Sequence, residues 1–387
     1  MRPIIVTPDH PDDQRDAVHR AVQLLAEDDL VVFPTETVYG LAANALSARA
    51  VERLLNAKRR RADQALTLAL AHADAVLDYC PDLPVIGRRL SQRCWPGPLT
   101  LVVDASAPDS LLHRLPQSVQ QSVAPQRTVG LRVPNHSFLL EALRLIPGPL
   151  VLTSANLSGQ GDTVTAEQVV QSLGDSVGMV LSDGPSRYGQ ASTVVRVEGN
   201  RLEILRSGVL TDSAVLRGAS LVVLLVCTGN TCRSPMAQAL FVRQIAQRLN
   251  LAPTDLESQG VLVLSAGVAA GAGYPASTEA IRVMGERSLD LTQHASRPLT
   301  DVLVRFADLI LTMTPSHRGA IVSQWPEAAT KTFLLRHDGQ DIADPIGGSE
   351  ELYALCADQL DAQIPGWLDR LDFETRPRMT PQTPDKT

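Results

Sequence analysis

A cysteine, an arginine and a serine lie at a spacing that suits phosphate chemistry in the segment LVVLLVCTGNTCRSPMA, residues 221–237. An apolar run typical of a buried strand ends at Cys227, and Pro235 opens a helix soon afterwards. A loop at a helix N-terminus points backbone N–H groups at a phosphate, and the same field favours the nucleophilic thiolate. Arg233 can bind two phosphoryl oxygens, and Ser234 can donate to the thiolate.

A carboxyl group completes this set. Asp344 lies in the segment DIADPIGG, residues 341–348, directly before a long helical pattern. A carboxyl on a proline-stiffened loop is a reasonable general acid for a leaving group. Alone, Asp344-Pro345 is equally consistent with a turn or a helix cap. Together with the cysteine loop it predicts the acid of a phosphate-transfer reaction.

Strand and helix patterns alternate from residue 221 onwards, which predicts a doubly wound parallel α/β sheet. After the first strand at 221, the predicted elements are strands at 261–265, 307–312 and 332–335 and helices at 235–248, 276–286, 315–323 and 349–371. In this fold the cysteine loop lies at the C-terminal end of the first strand, where such sheets bind ligands.

This half resembles the low-molecular-weight protein phosphatase family over about residues 221–371. Further shared motifs are SAG (265–267), DL (290–291), HASR (294–297) and ADLILTM (307–313). The resemblance implies that Cys227 is the nucleophile, Arg233 the phosphate clamp and Asp344 the acid, without a metal. It also implies support of the phosphate loop by Thr228, Gly229, Asn230, Thr231, Cys232, Ser234 and Ser265.

The substrate is predicted to be protein phosphoarginine, with phosphotyrosine as the close alternative. Tyrosine phosphatases of this family usually carry a bulky aliphatic residue where this chain has Thr231, and aromatics after the Asp-Pro pair. Here Ile346, Gly347 and Gly348 follow instead. CTGNTCRSPMA also resembles the arginine phosphatase branch of the family.

Arsenate reduction is a second possibility, because that chemistry shares the fold and the loop. It needs resolving cysteines downstream, and Cys356 is the one available there, inside a predicted helix. Cys232 is better explained as a partner that forms a reversible disulfide with Cys227 under oxidation.

The first half also reads as α/β, because strand-like and helical patterns interleave. The predicted helices are 14–27, 48–58, 137–145 and 165–173, and the predicted strands are 30–34, 99–103, 149–153, 178–181, 192–197 and 202–206. Polar clusters follow several of these strands. Each cluster alone has a structural explanation as a turn, a helix cap or a solvated helix end.

Taken together, these clusters resemble the threonylcarbamoyl-AMP synthase family over about residues 12–210. The shared motifs are PTETVYGL, CWPGPLTLV, GLRVP, TSANLSG and ASTVV. The resemblance implies a twisted open sheet around a large positive cavity. It implies condensation of L-threonine, bicarbonate and ATP to threonylcarbamoyl-AMP, the donor for a tRNA modification that other proteins complete. Mg2+ is expected to accompany ATP, with no protein side chain that fixes it.

This chemistry assigns roles to several polar side chains of the first half. The cations expected to bind the triphosphate are Lys58, Arg60 and Arg132. The groups expected to orient threonine and adenylate are Thr35, Tyr39, Ser154 and Asn156. The groups expected to close over the phosphates are Ser192 and Arg206. The chain departs from the family pattern at Arg61, where a proline is usual, and at Ala65. A non-catalytic module that binds RNA or nucleotide is the alternative for this half.

Composition predicts a cytoplasmic protein that does not associate with membranes. The net charge is −7, and no run of residues is apolar enough to span a membrane. Five cysteines form no disulfide framework and suit a reducing cytosol. The predicted domains are 1–212 and 220–372, and residues 373–387, rich in proline, threonine and charge, are predicted to be a disordered tail.

Overall fold

Two separate β-sheets organise the chain. This computed structural model describes residues 4–8, 10–59 and 64–380. One unit runs to Val215 and takes in the chain again from Arg378, and the other covers Leu216–Pro377. The helix α8 (Asp212–Ala219) spans this division.

The first unit is built on an open mixed sheet, which confirms the predicted α/β class. Its strands are β1 (Ile4–Val6), β2 (Val31–Phe33), β3 (Gly40–Asn44), β4 (Thr67–Ala69), β5 (Leu99–Asp104), β6 (Thr128–Arg132), β7 (Leu150–Ser154), β8 (Met179–Leu181), β9 (Thr193–Glu198) and β10 (Arg201–Arg206). The spatial order is β1-β8-β2-β3-β7-β4-β6-β5-β9-β10, with both parallel and antiparallel neighbours.

Seven helices belong to this unit: α1 (Pro11–Ala26), α2 (Ala48–Lys58), α3 (Val76–Tyr79), α4 (Val85–Cys94), α5 (Gln117–Val123), α6 (Ser137–Leu145) and α7 (Ala166–Leu173), among the described residues. The apolar stripe of α1, including Val18 and Leu25, packs with Leu139 and Leu143 of α6 over the strands β2 and β7. Ser47 caps α2 by accepting from the Ala50 N–H, and Arg59 ends that helix in the left-handed conformation.

The second unit is a doubly wound parallel sheet, as predicted. Its strands β11 (Leu221–Cys227), β12 (Val261–Gly267), β13 (Leu309–Thr312) and β14 (Thr332–Leu334) lie in the order β12-β11-β13-β14. The helices are α9 (Arg233–Leu249), α10 (Thr278–Glu286), α11 (Asp301–Phe306), α12 (Pro315–Gln324) and α13 (Glu350–Leu368). Side chains of β11 alternate between two apolar cores, one on each face of the sheet, so this strand is buried throughout.

The segment from residue 373 differs from the disordered tail that its composition predicts. Phe373–Thr375 forms a 3-10 turn with Phe373 in the apolar core of the second unit. Strand β15 (Arg378–Met379) then pairs in parallel with β10. A buried aromatic ring and an available sheet edge supply contacts that outweigh the polar composition. Residues 381–387 lie outside the described part of the chain.

The ends of β11 and β12 hold the cysteine loop from below. The Val268 N–H donates to the Cys227 carbonyl at 2.9 Å, and the Ala269 N–H donates to the Thr228 carbonyl at 3.0 Å. Gly267 makes this approach possible, because a Cβ there would lie 2.4 Å from the Thr228 carbonyl oxygen. A side chain at position 267 would therefore push the loop away from the sheet.

We predict that Gly267→Ala destabilises the loop, because overpacking of this kind costs about 1–3 kcal/mol. Hydrogen exchange of the loop amides, followed by mass spectrometry, should become faster. The matched control is Gly285→Ala in α10, where a Cβ meets nothing within 4 Å. This control should leave exchange unchanged, and equal exchange in the two variants would contradict the argument.

Two candidate active sites

The nucleophile predicted in the second unit lies against a backbone amide and a serine hydroxyl. Cys227 ends β11 and is 3% exposed. Its Sγ lies 3.0 Å from the Ser234 Oγ and accepts from the Asn230 N–H at 3.3 Å. These two groups can donate hydrogen bonds to a thiolate, the form of cysteine that attacks phosphorus. The structure thus brings these three predicted residues together.

Asn230 connects the loop to the rest of the site. Its backbone is left-handed, with φ 55°, a conformation that asparagine tolerates better than most residues. Its side-chain amide donates to Ser234 and to Ser265, each at 2.9 Å, and its Oδ1 accepts from the Arg297 N–H. The predicted bracing by Asn230 and Ser265 therefore has a direct geometric form, in which one side chain ties three segments to the loop.

Arg233 and Asp344 meet across the mouth of this loop. Arg233 begins α9 and its side chain is 6% exposed, whereas that of Asp344 is 39% exposed. The Nη2 of Arg233 pairs with the Asp344 Oδ2, and its Nη1 donates to the Ile342 carbonyl at 3.2 Å. The Asp344 carboxylate thus binds the guanidinium nitrogen to which phosphoryl oxygens are expected to bind.

The other predicted loop residues line the same segment. The Thr231 carbonyl accepts from the Ser277 N–H, which connects the loop to the start of α10. Cys232 is buried, and its Sγ lies 3.3 Å from the Tyr353 hydroxyl. Gly229 and Thr228 complete the loop between Cys227 and Asn230.

Cys356 is a poor candidate for a resolving cysteine. It is 2% exposed within α13, and burial raises the pKa of its thiol to about 12. A thiol that stays protonated attacks disulfides and metalloid esters slowly. The requirement of an arsenate reductase for a reactive downstream thiol is therefore not met by Cys356.

Three side chains of this site carried no assigned role in the sequence analysis. Gln238 accepts a hydrogen bond from the Ser265 hydroxyl at 2.6 Å. His294 Nε2 lies 2.7 Å from the Asn230 carbonyl oxygen, and burial lowers the pKa of this imidazole. His317 Nε2 lies 2.8 Å from the Thr228 Oγ1. His294 belongs to the HASR motif, but no sequence pattern marks Gln238 or His317, because their partners Ser265 and Thr228 are distant in sequence.

The second candidate site is a cavity of about 420 Å3 in the first unit. It opens on the face of β5, β6 and β9, where alternate residues point the same way. Six of the predicted ligand-binding residues line it, namely Thr35, Tyr39, Arg132, Ser154, Ser192 and Arg206. Thr67, Thr100, Asp162 and Arg196 line it as well and were not predicted.

Lys58 and Asn156 stand behind this cavity and are not among its lining residues. Lys58 is 2% exposed, and its ammonium donates to the Ser154 carbonyl, the Asn156 carbonyl at 2.7 Å and the Asn156 Oδ1 at 3.2 Å. In this structure the lysine thus holds the Ser154–Asn156 loop in place. Arg60 and Arg61 lie outside the described residues.

Arg132 is already paired, although its position in the GLRVP motif predicts a cation available to ATP. Its Nη2 donates to Glu36 at 2.7 Å and to the Thr37 Oγ1 at 2.9 Å, and both charged side chains are buried. The second Glu36 oxygen accepts from the Asn135 N–H. Glu36 lies in the PTETVYG motif, yet its partner could not be deduced from local sequence.

Arg206 and Tyr39 close two other sides of the cavity. Arg206 donates to the Ser192 carbonyl at 2.9 Å and to the Ser192 Oγ at 3.0 Å, and burial lowers the pKa of its guanidinium. The Tyr39 hydroxyl donates to the Gly184 carbonyl at 2.7 Å, and burial raises the pKa of this phenol. These hydrogen bonds hold both side chains in position before any ligand binds.

Two features of the described residues bear on metals and membranes. No group of three or more His, Cys, Asp or Glu side chains is arranged to hold a metal ion in residues 4–8, 10–59 and 64–380. Within the same ranges, every helix is too short or too polar to cross a lipid bilayer.

Comparison with known families divides the chain at the same place as the two sites. The family model described as telomere recombination, which covers the Sua5, YciO and YrdC proteins, matches residues 23–208. The family model for low molecular weight phosphotyrosine protein phosphatase matches residues 222–376.

Curated relatives fall into the same two groups. The threonylcarbamoyl-AMP synthase of Bacillus subtilis is 34% identical over 51% of this chain and 55% of its own length. A putative threonylcarbamoyl-AMP synthase of Mycobacterium tuberculosis is 34% identical over 53% of this chain and 90% of its own length. The protein-arginine-phosphatase of Bacillus subtilis is 41% identical over 36% of this chain and 89% of its own length.

The chain therefore belongs to two families, with a threonylcarbamoyl-AMP synthase family domain followed by a low-molecular-weight phosphatase domain. It spans about half the length of the first curated synthases that it matches. The solved structure of Pyrococcus abyssi Sua5 complexed with L-threonine is 23% identical, with a TM-score of 0.50, over 68% of this chain and 92% of that one. At this identity the likeness concerns the fold alone.

We predict that Glu36→Ala destabilises the first unit by about 3–5 kcal/mol, because it leaves the buried Arg132 charge without its carboxylate. The urea dependence of hydrogen exchange in peptides from β2 to β7 measures this loss. The matched control is Glu203→Ala, which removes the carboxylate of the half-exposed Arg196–Glu203 pair and should cost about 0–1 kcal/mol. Similar losses in both variants would contradict a special role for the buried pair.

Proposed function

We propose that the chain is a bifunctional enzyme, a threonylcarbamoyl-AMP synthase joined to a cysteine-dependent protein phosphatase. The observation that carries this proposal is the presence of two chemically distinct sites, one in each unit. A cavity lined by hydroxyls and arginines suits an adenylate and its phosphates, and a thiol against a backbone amide and a serine hydroxyl suits phosphoryl transfer.

The first site would condense L-threonine, bicarbonate and ATP. The threonine amine attacks the bicarbonate carbon, which gives a carbamate and water. A carbamate oxygen then attacks the α-phosphorus, and the bond to pyrophosphate breaks. Arg206 and Ser192 would face the phosphates, while Thr35, Tyr39 and the loop held by Lys58 orient the threonine and the adenylate. The relatives named as synthases support this assignment. The product would reach tRNA through other proteins.

Mg2+ fits this cavity as an ion carried by ATP. Magnesium commonly binds through one or two carboxylates together with substrate phosphates. Among the described residues that line the cavity, Asp162 supplies a carboxylate beside several hydroxyl groups. When bound, the ion neutralises charge on the triphosphate, and Asp162 is the side chain that would hold it.

The second site would hydrolyse a phosphorylated protein in two steps. The Cys227 thiolate attacks phosphorus, and the bond to the leaving group breaks as Asp344 donates a proton to that group. Water then attacks the phosphocysteine, with Asp344 taking up its proton, and inorganic phosphate leaves. Because Asp344 pairs with Arg233 here, the incoming phosphate would displace the carboxylate and free it for proton transfer.

Phosphoarginine is the substrate we propose for this site. Thr231, which carries a hydroxyl group, is half-buried, and Ile346, two residues after Asp344, is 69% exposed. Gly347 has a positive φ of 73°, which disfavours an aromatic side chain at that position. A planar guanidinium can pair with the Asp344 carboxyl before it is protonated as the leaving group. The relative named protein-arginine-phosphatase supports this choice.

A pair of reciprocal variants tests the two activities. Cys227→Ser should abolish phosphate release from a phosphopeptide, because a hydroxyl is a far poorer nucleophile at neutral pH, and should leave pyrophosphate release intact. Lys58→Ala should slow pyrophosphate release by roughly ten- to a hundredfold, because it removes a charge-assisted hydrogen bond of about 1.5–3 kcal/mol to the Ser154–Asn156 loop. The same variant should leave phosphatase activity unchanged.

The wild-type control for the synthase is pyrophosphate release that requires both threonine and bicarbonate. Release that ignores either substrate, or none at all, would assign the first unit to nucleotide or RNA binding instead. Wild-type phosphatase turnover in Cys227→Ser would rule out the nucleophile.

Substrate choice is tested by Thr231→Ile. We expect this change to shift kcat/KM toward phosphotyrosine and away from phosphoarginine, since apolar bulk fills the pocket beside the loop. The ratio of kcat/KM on two peptides that differ only in the phosphorylated residue measures the shift. Thr254→Ile, at an exposed position of the same unit, is the matched control. An unchanged ratio in Thr231→Ile, or a wild-type preference for phosphotyrosine, would contradict the proposal.

A further inference from the structure

A buried histidine that the proposed catalysis does not use lies behind the phosphate loop. His317 is on α12 and is 6% exposed. Its Nδ1 lies 2.9 Å from the Oγ1 of Thr314, the residue that caps this helix. Its Nε2 lies 2.8 Å from the Thr228 Oγ1. Both ring nitrogens are therefore held, and the imidazole has a fixed orientation toward the residue that follows Cys227.

Thr228 passes this contact on to the phosphate-binding arginine. The Arg233 Nη2 donates to the Thr228 Oγ1 at 3.4 Å, while the Nη1 donates to the Ile342 carbonyl at 3.2 Å. One hydroxyl group thus joins an imidazole to the guanidinium. The hydroxyl must accept from Arg233, because a guanidinium has donors and no acceptor. The Thr228 hydroxyl proton then needs an acceptor of its own.

We propose that His317 is a positioning residue for Arg233, because its neutral Nε2 accepts the Thr228 hydroxyl proton and so turns the Thr228 oxygen toward the guanidinium. Arg233 is then anchored at both terminal nitrogens before phosphate arrives, and less orientational freedom is lost when it binds. This inference rests on the proposed phosphatase activity and concerns the same site.

The groups that face the imidazole favour this neutral form. Burial lowers the pKa of His317 from its ordinary value of 6.5, the Arg233 charge lowers it further, and Asp344 and Asp341 oppose this in part. The neutral imidazole therefore persists to pH values below 6.5. Protonation turns Nε2 into a donor, so the Thr228 proton loses its acceptor and a second cation faces Arg233. The positioning should consequently fail on the acid side.

The test compares His317→Leu with His317→Gln in the full-length protein, using kcat/KM on a phosphopeptide between pH 5 and pH 8. Leucine removes the acceptor, and we expect a loss of about tenfold at pH 7.5. Glutamine keeps an acceptor oxygen and cannot ionise, so it should stay within about threefold of wild type. The ratio of the glutamine variant to wild type should rise as the pH is lowered toward 5. His337→Leu, an exposed histidine of the same unit, should leave kcat/KM unchanged.

Coupling through the hydroxyl supplies a second measurement that unfolding would not imitate. In a Thr228→Val background, His317→Leu should cost less than about twofold, because its partner is already gone. Equal losses in both backgrounds, or a glutamine-to-wild-type ratio that does not change with pH, would overturn the positioning role. Absence of phosphatase turnover in the wild-type protein would instead overturn the proposed function.

Discussion

The position of a single amide side chain, that of Asn230, decides the geometry of the phosphate loop. It is fully buried, takes a left-handed backbone and satisfies Ser234, Ser265 and the Arg297 N–H at once. Because its own N–H also donates to the Cys227 sulfur, the network fixes the proposed nucleophile through contacts within the protein. A buried polar network of this kind is stable only when every member is paired, so its parts cannot be exchanged singly.

Each site holds one arginine in an ion pair before a substrate arrives. Arg132 is held by Glu36 in the first unit, and Arg233 is held by Asp344 in the second. Pairing offsets the desolvation cost of a buried charge and fixes the orientation of its side chain. The two pairs differ in exposure, since Asp344 is 39% exposed while Glu36 is 5% exposed. Asp344 is therefore accessible to solvent, whereas Glu36 is enclosed by the protein.

The sequence predicts those parts of the fold whose local signal is strong. The helix expected at 235–248 is α9, Arg233–Leu249, because an apolar stripe and Pro235 mark it. Strand β3, Gly40–Asn44, was missed, since small residues such as Gly40 and Ala42 carry little strand preference and are held by pairing with β7. Within the sites, motif residues were found, but Glu36 and Arg132 are 96 positions apart, and such pairings depend on the folded sheet.

The return of the chain to the first sheet makes the phosphatase unit an insertion rather than an appendage. Strand β15 follows Pro377 and pairs with β10, so the second unit is connected to the first by two covalent links. Cleavage near Val215 would give two polypeptides joined through the pairing of β15 with β10, whereas cleavage after Pro377 would leave both units in one polypeptide. A gene fragment that stops near Val215 would bare the outer edge of β10, and an uncovered edge invites pairing between molecules. Whether this chain can be divided into separate halves thus depends on strand topology as well as on domain boundaries.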